Sequence, residues 1–195
     1  TESWLTGNFD GIPYGPGVSL NLGGGEFDGN ISIPRGITRI PKGRLAYPEV
    51  RSINNENDVV VICERGFYGS GLRTASFLEH VDSIGEGAFE ATQLTEARLS
   101  PNLGAIPDLA FASCPNLQSV SIASETRSTA AGKGIAIGAR AFLNDANLKT
   151  LDLPPFTSVG TDAFKGTGIF TSQPDGLVYI NNCLFGIKGL SLIHI

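Results

Sequence analysis

The stretch IGEGAFEATQLTEARLSPNLGAIPDLAF, residues 84–111, decides how this chain is read. Ile84 and Phe89 stand five residues apart, and the same pair returns as Ile106 and Phe111 after an interval of 22. On either side the spacing continues: Phe67, Phe89, Phe111, Phe142 and Phe164 are separated by 22, 22, 31 and 22 residues. Each follows a branched aliphatic by five positions, namely Ile62, Ile84, Ile106, Ile137 and Val159. Ile40 and Leu45 carry the pair one period upstream and make six copies. Phenylalanine fills 11 of 195 positions. Three hits at preset intervals therefore arise by chance on the order of once in several thousand trials, and a fixed period of this length marks a stacked-repeat architecture.

A second pattern follows each aromatic. In LKTLDL, residues 148–153, Leu148, Leu151 and Leu153 are apolar while Lys149, Thr150 and Asp152 are polar, and LQSVSI, LTEARL and LRTASF repeat the form. Such alternation predicts a short strand with one buried face, ended at Pro101 and Pro154 because proline donates nothing to a ladder. The run from Ile84 to Phe89 is short and glycine-rich and predicts a turn or 3₁₀ segment. Neither piece can bury its apolar side alone. Stacking solves this, with strands about 4.8 Å apart in a parallel sheet and aromatic lying over aromatic. The expected fold is a β-rich solenoid of the α/β type, parallel strands on one face and turns or 3₁₀ segments on the other. Its expected core is Ile62, Phe67, Ile84, Phe89, Leu94, Ile106, Phe111, Leu117, Ile137, Phe142, Leu148, Val159 and Phe164.

These residues resemble the leucine-rich repeats of the BspA type. The likeness is fullest from Leu94 to Leu99 and on through Ile106, Ala110-Phe111 and Cys114 to Leu117, and again from Leu148 through Leu153-Pro154, Val159-Gly160 and Ala163-Phe164. It covers residues 27–170 and implies a right-handed leucine-rich-repeat superhelix of six 22-residue units. It also implies a secreted or cell-surface protein that binds host or neighbouring-cell proteins as an adhesin. GLVYINNCLFGIKG, residues 176–189, is similar to the hairpin module that interrupts such arrays, with Asn181-Asn182 as its two-residue turn. Thr92 and Asp145 stand where Cys114 fits the pattern, so no cysteine ladder is implied. The first repeat has Arg44-Leu45 for Ala-Phe and its strand degenerates into Ser52-Ile53-Asn54-Asn55, while the sixth runs into Thr171-Ser172-Gln173-Pro174. Residues 1–26, with Trp4, Phe9, Tyr14 and Gly23-Gly24-Gly25, follow no period and are expected to cap the open end of the stack. Residues 171–195 are expected to hold the hairpin and the start of a further, truncated repeat, because GLSLIHI resembles no cap.

Composition excludes several functions. The balance of 14 Lys+Arg against 19 Asp+Glu gives −5 with no basic cluster, so the electrostatic footprint of a nucleic-acid binder is missing. No run approaches the 18 or so apolar residues that insert in a membrane. Gly 25 and Pro 11 fit a turn-dense fold, and the lack of a three-residue period excludes collagen. Thr1 follows no leader, which fits a mature secreted chain or an excised fragment. Cys63, Cys114 and Cys183 are too far apart for a C-x-x-C site and read as small buried thiols. His80 and His194 have no partner spacing for zinc or a triad. Gly132 to Gly138 lacks the form of a nucleotide loop, Gly69-Ser70-Gly71 that of a nucleophile elbow, and no D-x-D-x-D-G calcium loop occurs. Asn30-Ile31-Ser32 is a formal glycosylation sequon. The expectation is a protein that is not an enzyme and uses no cofactor or metal.

Two surfaces remain as candidates for a protein partner. Between Ile122 and Ile137 there are 15 positions, against 7 between Leu99 and Ile106, so residues are inserted within 124–134. Insertions of this kind often form binding loops, here with Glu125, Arg127 and Lys133; the other reading is a tolerated surface loop, since loop length costs little free energy. The second candidate is the outward strand face, Arg73, Thr74, Thr95, Glu96, Arg98, Gln118, Ser119, Ser121, Lys149, Thr150 and Asp152. It is polar, mixed in charge and without an aromatic anchor, so contact there would be weak or multivalent. The runner-up function is a structural spacer with no specific ligand.

Overall fold

The computed structural model describes residues 29–33, 38–55, 59–122, 134–181 and 183–189. The expected cap at 1–26, the loop residues Glu125, Arg127 and Lys133, turn residue Asn182 and the tail from Leu190, His194 included, lie outside them. In chain order the strands are β1 (Asn30–Ile33), β2 (Arg39–Ile40), β3 (Ser52–Asn55), β4 (Val61–Ile62) and β5 (Ser83–Ile84). Then come β6 (Glu96–Leu99), β7 (Ala105–Ile106), β8 (Ser119–Ile122), β9 (Ile135–Ile137), β10 (Thr150–Asp152) and β11 (Phe156–Val159). A single helical turn at Gly168–Thr171 leads into β12 (Gly176–Ile180) and β13 (Cys183–Lys188).

The chain is a β-solenoid whose ladders run along the stack. β6, β8 and β10 form the expected parallel sheet, with Ser119 of the central β8 flanked by Glu96 and Thr150, and Ser121 by Arg98 and Asp152. The alternation works as written, since Ala97, Leu99 and Val120 are buried beneath this outer layer. β12 and β13 form the expected antiparallel hairpin, with Ile180 paired to Cys183 across a two-residue connection.

Each repeat also contributes a second strand. The branched aliphatics align as Ile40, Ile62 and Ile84 in the ladder β2-β4-β5, and as Ile106, Ile137 and Val159 in β7-β9-β11. The sequence pattern does not disclose these strands because most are two residues long, too short to display an alternation. The coil turns sharply just past them. A Cβ on Gly138 would lie 2.4 Å from the Asp108 amide, and one on Gly160 would lie 2.3 Å from that of Ala139, so only glycine lets the turns approach this closely.

The aromatic column forms as expected. Phe67, Phe89, Phe111, Phe142 and Phe164 are fully buried. Successive rings stack with centroids 5.3, 5.3, 5.7 and 5.4 Å apart and planes within 9° of parallel. The 31-residue interval spans the same rise as the others, so the inserted residues leave the column undisturbed. Backbone conformation explains the regularity. The residues two before and two after each aromatic are left-handed: Arg65 and Gly69, Gly87 and Ala91, Leu109 and Ser113, Arg140 and Asn144, Asp162 and Gly166. Alternating hand turns the amides along the stack, so that Phe67, Phe89, Phe111 and Phe142 donate to the carbonyls of Ala88, Ala110, Ala141 and Ala163 at 2.8–2.9 Å. These bonds recover part of the steric cost that left-handed backbone carries for non-glycine residues.

Two expectations need correction. LRTASF is not a strand: after Ala75 the chain enters a 3₁₀ turn, Ser76–His80. Phe77 and Leu78 are neighbours and both buried, and a strand would point them to opposite faces, whereas a 3₁₀ turn buries both. The polar Ser52–Asn55 is a strand after all, paired in full parallel register with β1 through Ile31 and Ile53 and an Asn30–Ser52 side-chain bond. Of the expected core, Val159 is half-buried and the rest is buried.

Candidate functional site

The outward strand face is built on β6, β8 and β10 and the residues leading into them. Thr74, Glu96 and Thr150 are exposed and Ser119 half-exposed, Arg98 and Asp152 are exposed on either side of half-exposed Ser121, and Thr95, Gln118 and Lys149 form an exposed row at the strand entrances. Backbone bonds from Thr95 to Arg73, from Gln118 to Thr95 and from Lys149 to Gln118 keep that row in register at 2.9–3.2 Å. Arg73 and Thr74 thus lie at the same level as the others, although their segment is not a strand. The ladder therefore brings together all eleven residues singled out on this face.

Charge on this face is partly internal. Arg98 Nη1 lies 3.2 Å from Glu79 Oε1, a residue of the 3₁₀ turn that the alternation pattern did not flag. An amide ladder borders the face: Asn116 Nδ2 donates to Gln93 Oε1 at 2.9 Å, and Asn147 Nδ2 to the Pro115 carbonyl at 2.6 Å. Its signal was in the sequence, as an amide residue directly before the leucine in three successive repeats. The centre of the face is lined by the small hydroxyls Ser119, Ser121 and Thr150, so it is shallow, with hydrogen-bonding groups and no deep pocket.

Two further features lie outside this face. Three residues beyond each aromatic runs a buried polar column, Ser70, Thr92, Cys114, Asp145 and Thr167. Thr167 Oγ1 donates to the Phe164 carbonyl at 2.7 Å, Cys114 Sγ to that of Phe89 at 3.1 Å, and Thr92 Oγ1 meets Cys114 Sγ at 3.3 Å. Burial, with the Asp145 carboxylate adding to it, pushes the Cys114 thiol up to about 12; burial likewise raises the Asp145 carboxyl to about 8 against the bond it accepts from the Cys114 amide. The hairpin is the second feature. Val178 and Ile180 are buried and Phe185 meets Phe164 edge-on at 5.4 Å, closing the aromatic column. Its outer side shows the cross-strand pairs Leu177–Ile187 and Tyr179–Leu184, each residue 54% exposed.

A groove of about 490 Å³ lies between the last turn and β13, with Val159, Phe170, Phe185 and Ile187 on its walls and Asp162 and Lys165 at its polar edge. Among the described residues no three His, Cys, Asp or Glu side chains converge on one point. His80 ends the 3₁₀ turn in an exposed position. Cys63 and Cys183 are half-buried and free. Among the described residues no helix is long and apolar enough to cross a membrane.

Fold and face together define a leucine-rich-repeat solenoid with an open, polar strand surface. The model of the BspA type leucine-rich repeat region matches in six copies over residues 29–132 and 126–195, and the chain belongs to that family. Repeats of this family are generally non-enzymatic and typically serve protein interaction. No curated protein matches the sequence. Among solved structures, a leucine-rich cell surface protein from Faecalibacterium prausnitzii A2-165 shares 19% identity over 70% of this chain and 45% of its own, with a TM-score of 0.37. A leucine-rich repeat protein from Bacteroides ovatus ATCC 8483 shares 18% over 71% and 41%, TM-score 0.46, and one from Eubacterium ventriosum ATCC 27560 shares 21% over 79% and 46%, TM-score 0.49. The chain spans less than half the length of each of these proteins.

Proposed function

We propose that this chain is the protein-binding part of a secreted or cell-surface adhesin, contacting host or neighbouring-cell proteins through the β6-β8-β10 face and without catalysis. The observation that carries the reading is the face itself. Three parallel strands hold Glu96, Arg98 and Asp152 in fixed register around a hydroxyl-lined centre, with Lys149 tied to Gln118 at the entrance of β10. Extended repeat surfaces of this kind recognise partners by many modest contacts, and affinity grows with the number of repeats engaged. In this reading residues 27–170 are the interacting array and 171–195, with the hairpin, a separate module.

The test is surface plasmon resonance of the native chain and of the Arg98→Glu/Lys149→Glu variant against a panel of purified extracellular domains. A partner whose affinity falls at least about tenfold in the variant supports the strand face. Because Arg98 pairs with Glu79, reversal at that position also sets two carboxylates together, so Lys149→Glu is measured alone as well. Unchanged binding would remove the strand face from the proposal, and a native chain that binds nothing on the panel would favour a spacer that only holds other parts of the protein apart.

A further inference from the structure

We propose that Asp145 is a pH-sensitive joint of the stack, neutral while the fifth repeat is packed and loosening that repeat when it ionises. Asp145 is the one carboxyl in the buried polar column. Thr167 Oγ1 and Cys114 Sγ donate to the Phe164 and Phe89 carbonyls, Thr92 Oγ1 meets Cys114 Sγ, and the Ser70 hydroxyl, also buried without a hydrogen-bond partner among the described residues, carries no charge to solvate. Asp145 is fully buried and its Oδ1 accepts the Cys114 amide at 2.7 Å, but its Oδ2 is buried with no hydrogen-bond partner among the described residues.

Among the described residues no counter-charge faces this carboxyl. Against Asp145 lie Cys114 and, beyond it, Thr92 from the preceding repeats, Phe142 and Leu148 from its own repeat, and Gly168, next to Thr167, from the repeat that follows. Cys114 is the titratable member of that set and its thiol stays protonated, being pushed up to about 12. A carboxylate in this place would keep a single amide bond and leave its other oxygen unsolvated, which a protein interior penalises far more than one bond repays. Protonation removes the penalty, in line with the rise of this carboxyl to about 8.

Position gives the charge a lever. The Asp145 carbonyl accepts from Leu148 at 2.9 Å and from Gly168 at 3.3 Å, and its amide donates to Phe142 at 3.3 Å. It therefore ties the Phe142 level of the aromatic column to the entrance of β10 and to the sixth repeat. Water drawn in to solvate the anion disturbs all three bonds together. The folded state holds this proton up to about pH 8, whereas the unfolded chain releases it near 3.8. Between those values the folded state binds more protons, so stability is greatest on the acid side, falls as pH rises through the window and levels off above it.

The inference is independent of whether the strand face binds a partner. Its test is urea unfolding followed by circular dichroism between pH 5 and 9, in the native chain and in Asp145→Asn and Asp145→Thr, together with a carbon-13 carboxyl titration of the native chain. The expected result is a native urea midpoint that drops steadily with pH, midpoints for both variants that change much less, and an Asp145 carboxyl midpoint close to pH 8. Threonine is what the column itself carries at 92 and 167, so it supplies the comparison should asparagine not fold, and the carboxyl titration needs no variant. A carboxyl that titrates in the ordinary aspartate range, or variants as pH-dependent as the native chain, overturns the proposal.

Discussion

Two columns run through this molecule three residues apart, both buried along their length, and they obey different rules. The aromatic column is phenylalanine at five successive levels, with planes within 9° of parallel. The polar column beside it reads Ser70, Thr92, Cys114, Asp145, Thr167, with no two adjacent levels alike. Rings stacked in register press on their equivalents above and below, so a smaller side chain at one level leaves a void that the neighbours cannot close. A short polar side chain can reach a backbone group of its own repeat, as Thr167 reaches the Phe164 carbonyl, or of the preceding one, as Cys114 reaches the Phe89 carbonyl and Asp145 the Cys114 amide, so its identity drifts. Sameness is thus imposed where rings stack on rings, and variety is allowed where a small side chain has several backbone groups within reach.

The comparison breaks most visibly at the aromatic level. Phe111→Ala in the middle of the stack is expected to cost about 3–5 kcal/mol in urea unfolding, and a loss under about 1 kcal/mol would show that the column does not carry the stack. A smaller effect belongs to the polar column. Thr167 Oγ1 accepts from the Phe170 amide at 3.1 Å and so caps the helical turn at Gly168–Thr171. Thr167→Ala is expected to cost about 1 kcal/mol, and Thr167→Ser, which keeps the acceptor, to cost less; equal losses would move the residue's role from hydrogen bonding to its methyl group. The last prediction changes no stability at all. Cys114 is buried with its thiol pushed up to about 12, so iodoacetamide at pH 7, where Asp145 keeps its proton, should label Cys63 and Cys183 in the folded chain and reach Cys114 only after unfolding. Mass spectrometry of the labelled peptides reads this directly, and rapid labelling of Cys114 would mean that the stack opens at that level.

Much of the fold was legible because translation along a stack copies letters at a fixed interval. Phe and its branched aliphatic partner recur since each must meet its own kind, and the alternation in LTEARL and LKTLDL shows because a strand of three or four residues, with the residues that lead into it, is long enough to display a period of two. The ladder of Ile62 and Ile84 was not legible as strands, since two residues have no period. Ser76–His80 misled the pattern for a local reason: Phe77 and Leu78 sit side by side, and only the 3₁₀ turn lets both enter the core. The left-handed positions carry Arg, Ala, Leu, Ser, Asn and Asp as well as Gly, so composition could not announce them. For the candidate face the outward residues were readable one strand at a time, while the Arg98–Glu79 pair depends on a turn that the alternation does not describe.

By itself the sequence determined that this chain is a stacked-repeat solenoid, which aromatic marks each level and which side chains face out. An interval of 22 with matched apolar positions admits few other ways to bury them. Tertiary structure alone decided that the branched aliphatics form a second parallel ladder and that Ser52–Asn55 is a strand. It also decided that Asp145 is sealed in with one oxygen that has no hydrogen-bond partner among the described residues. These features depend on what the neighbouring repeats place alongside a residue. A repeat pattern says which positions correspond, and only packing says which hydrogen bonds and charges each position is left to satisfy.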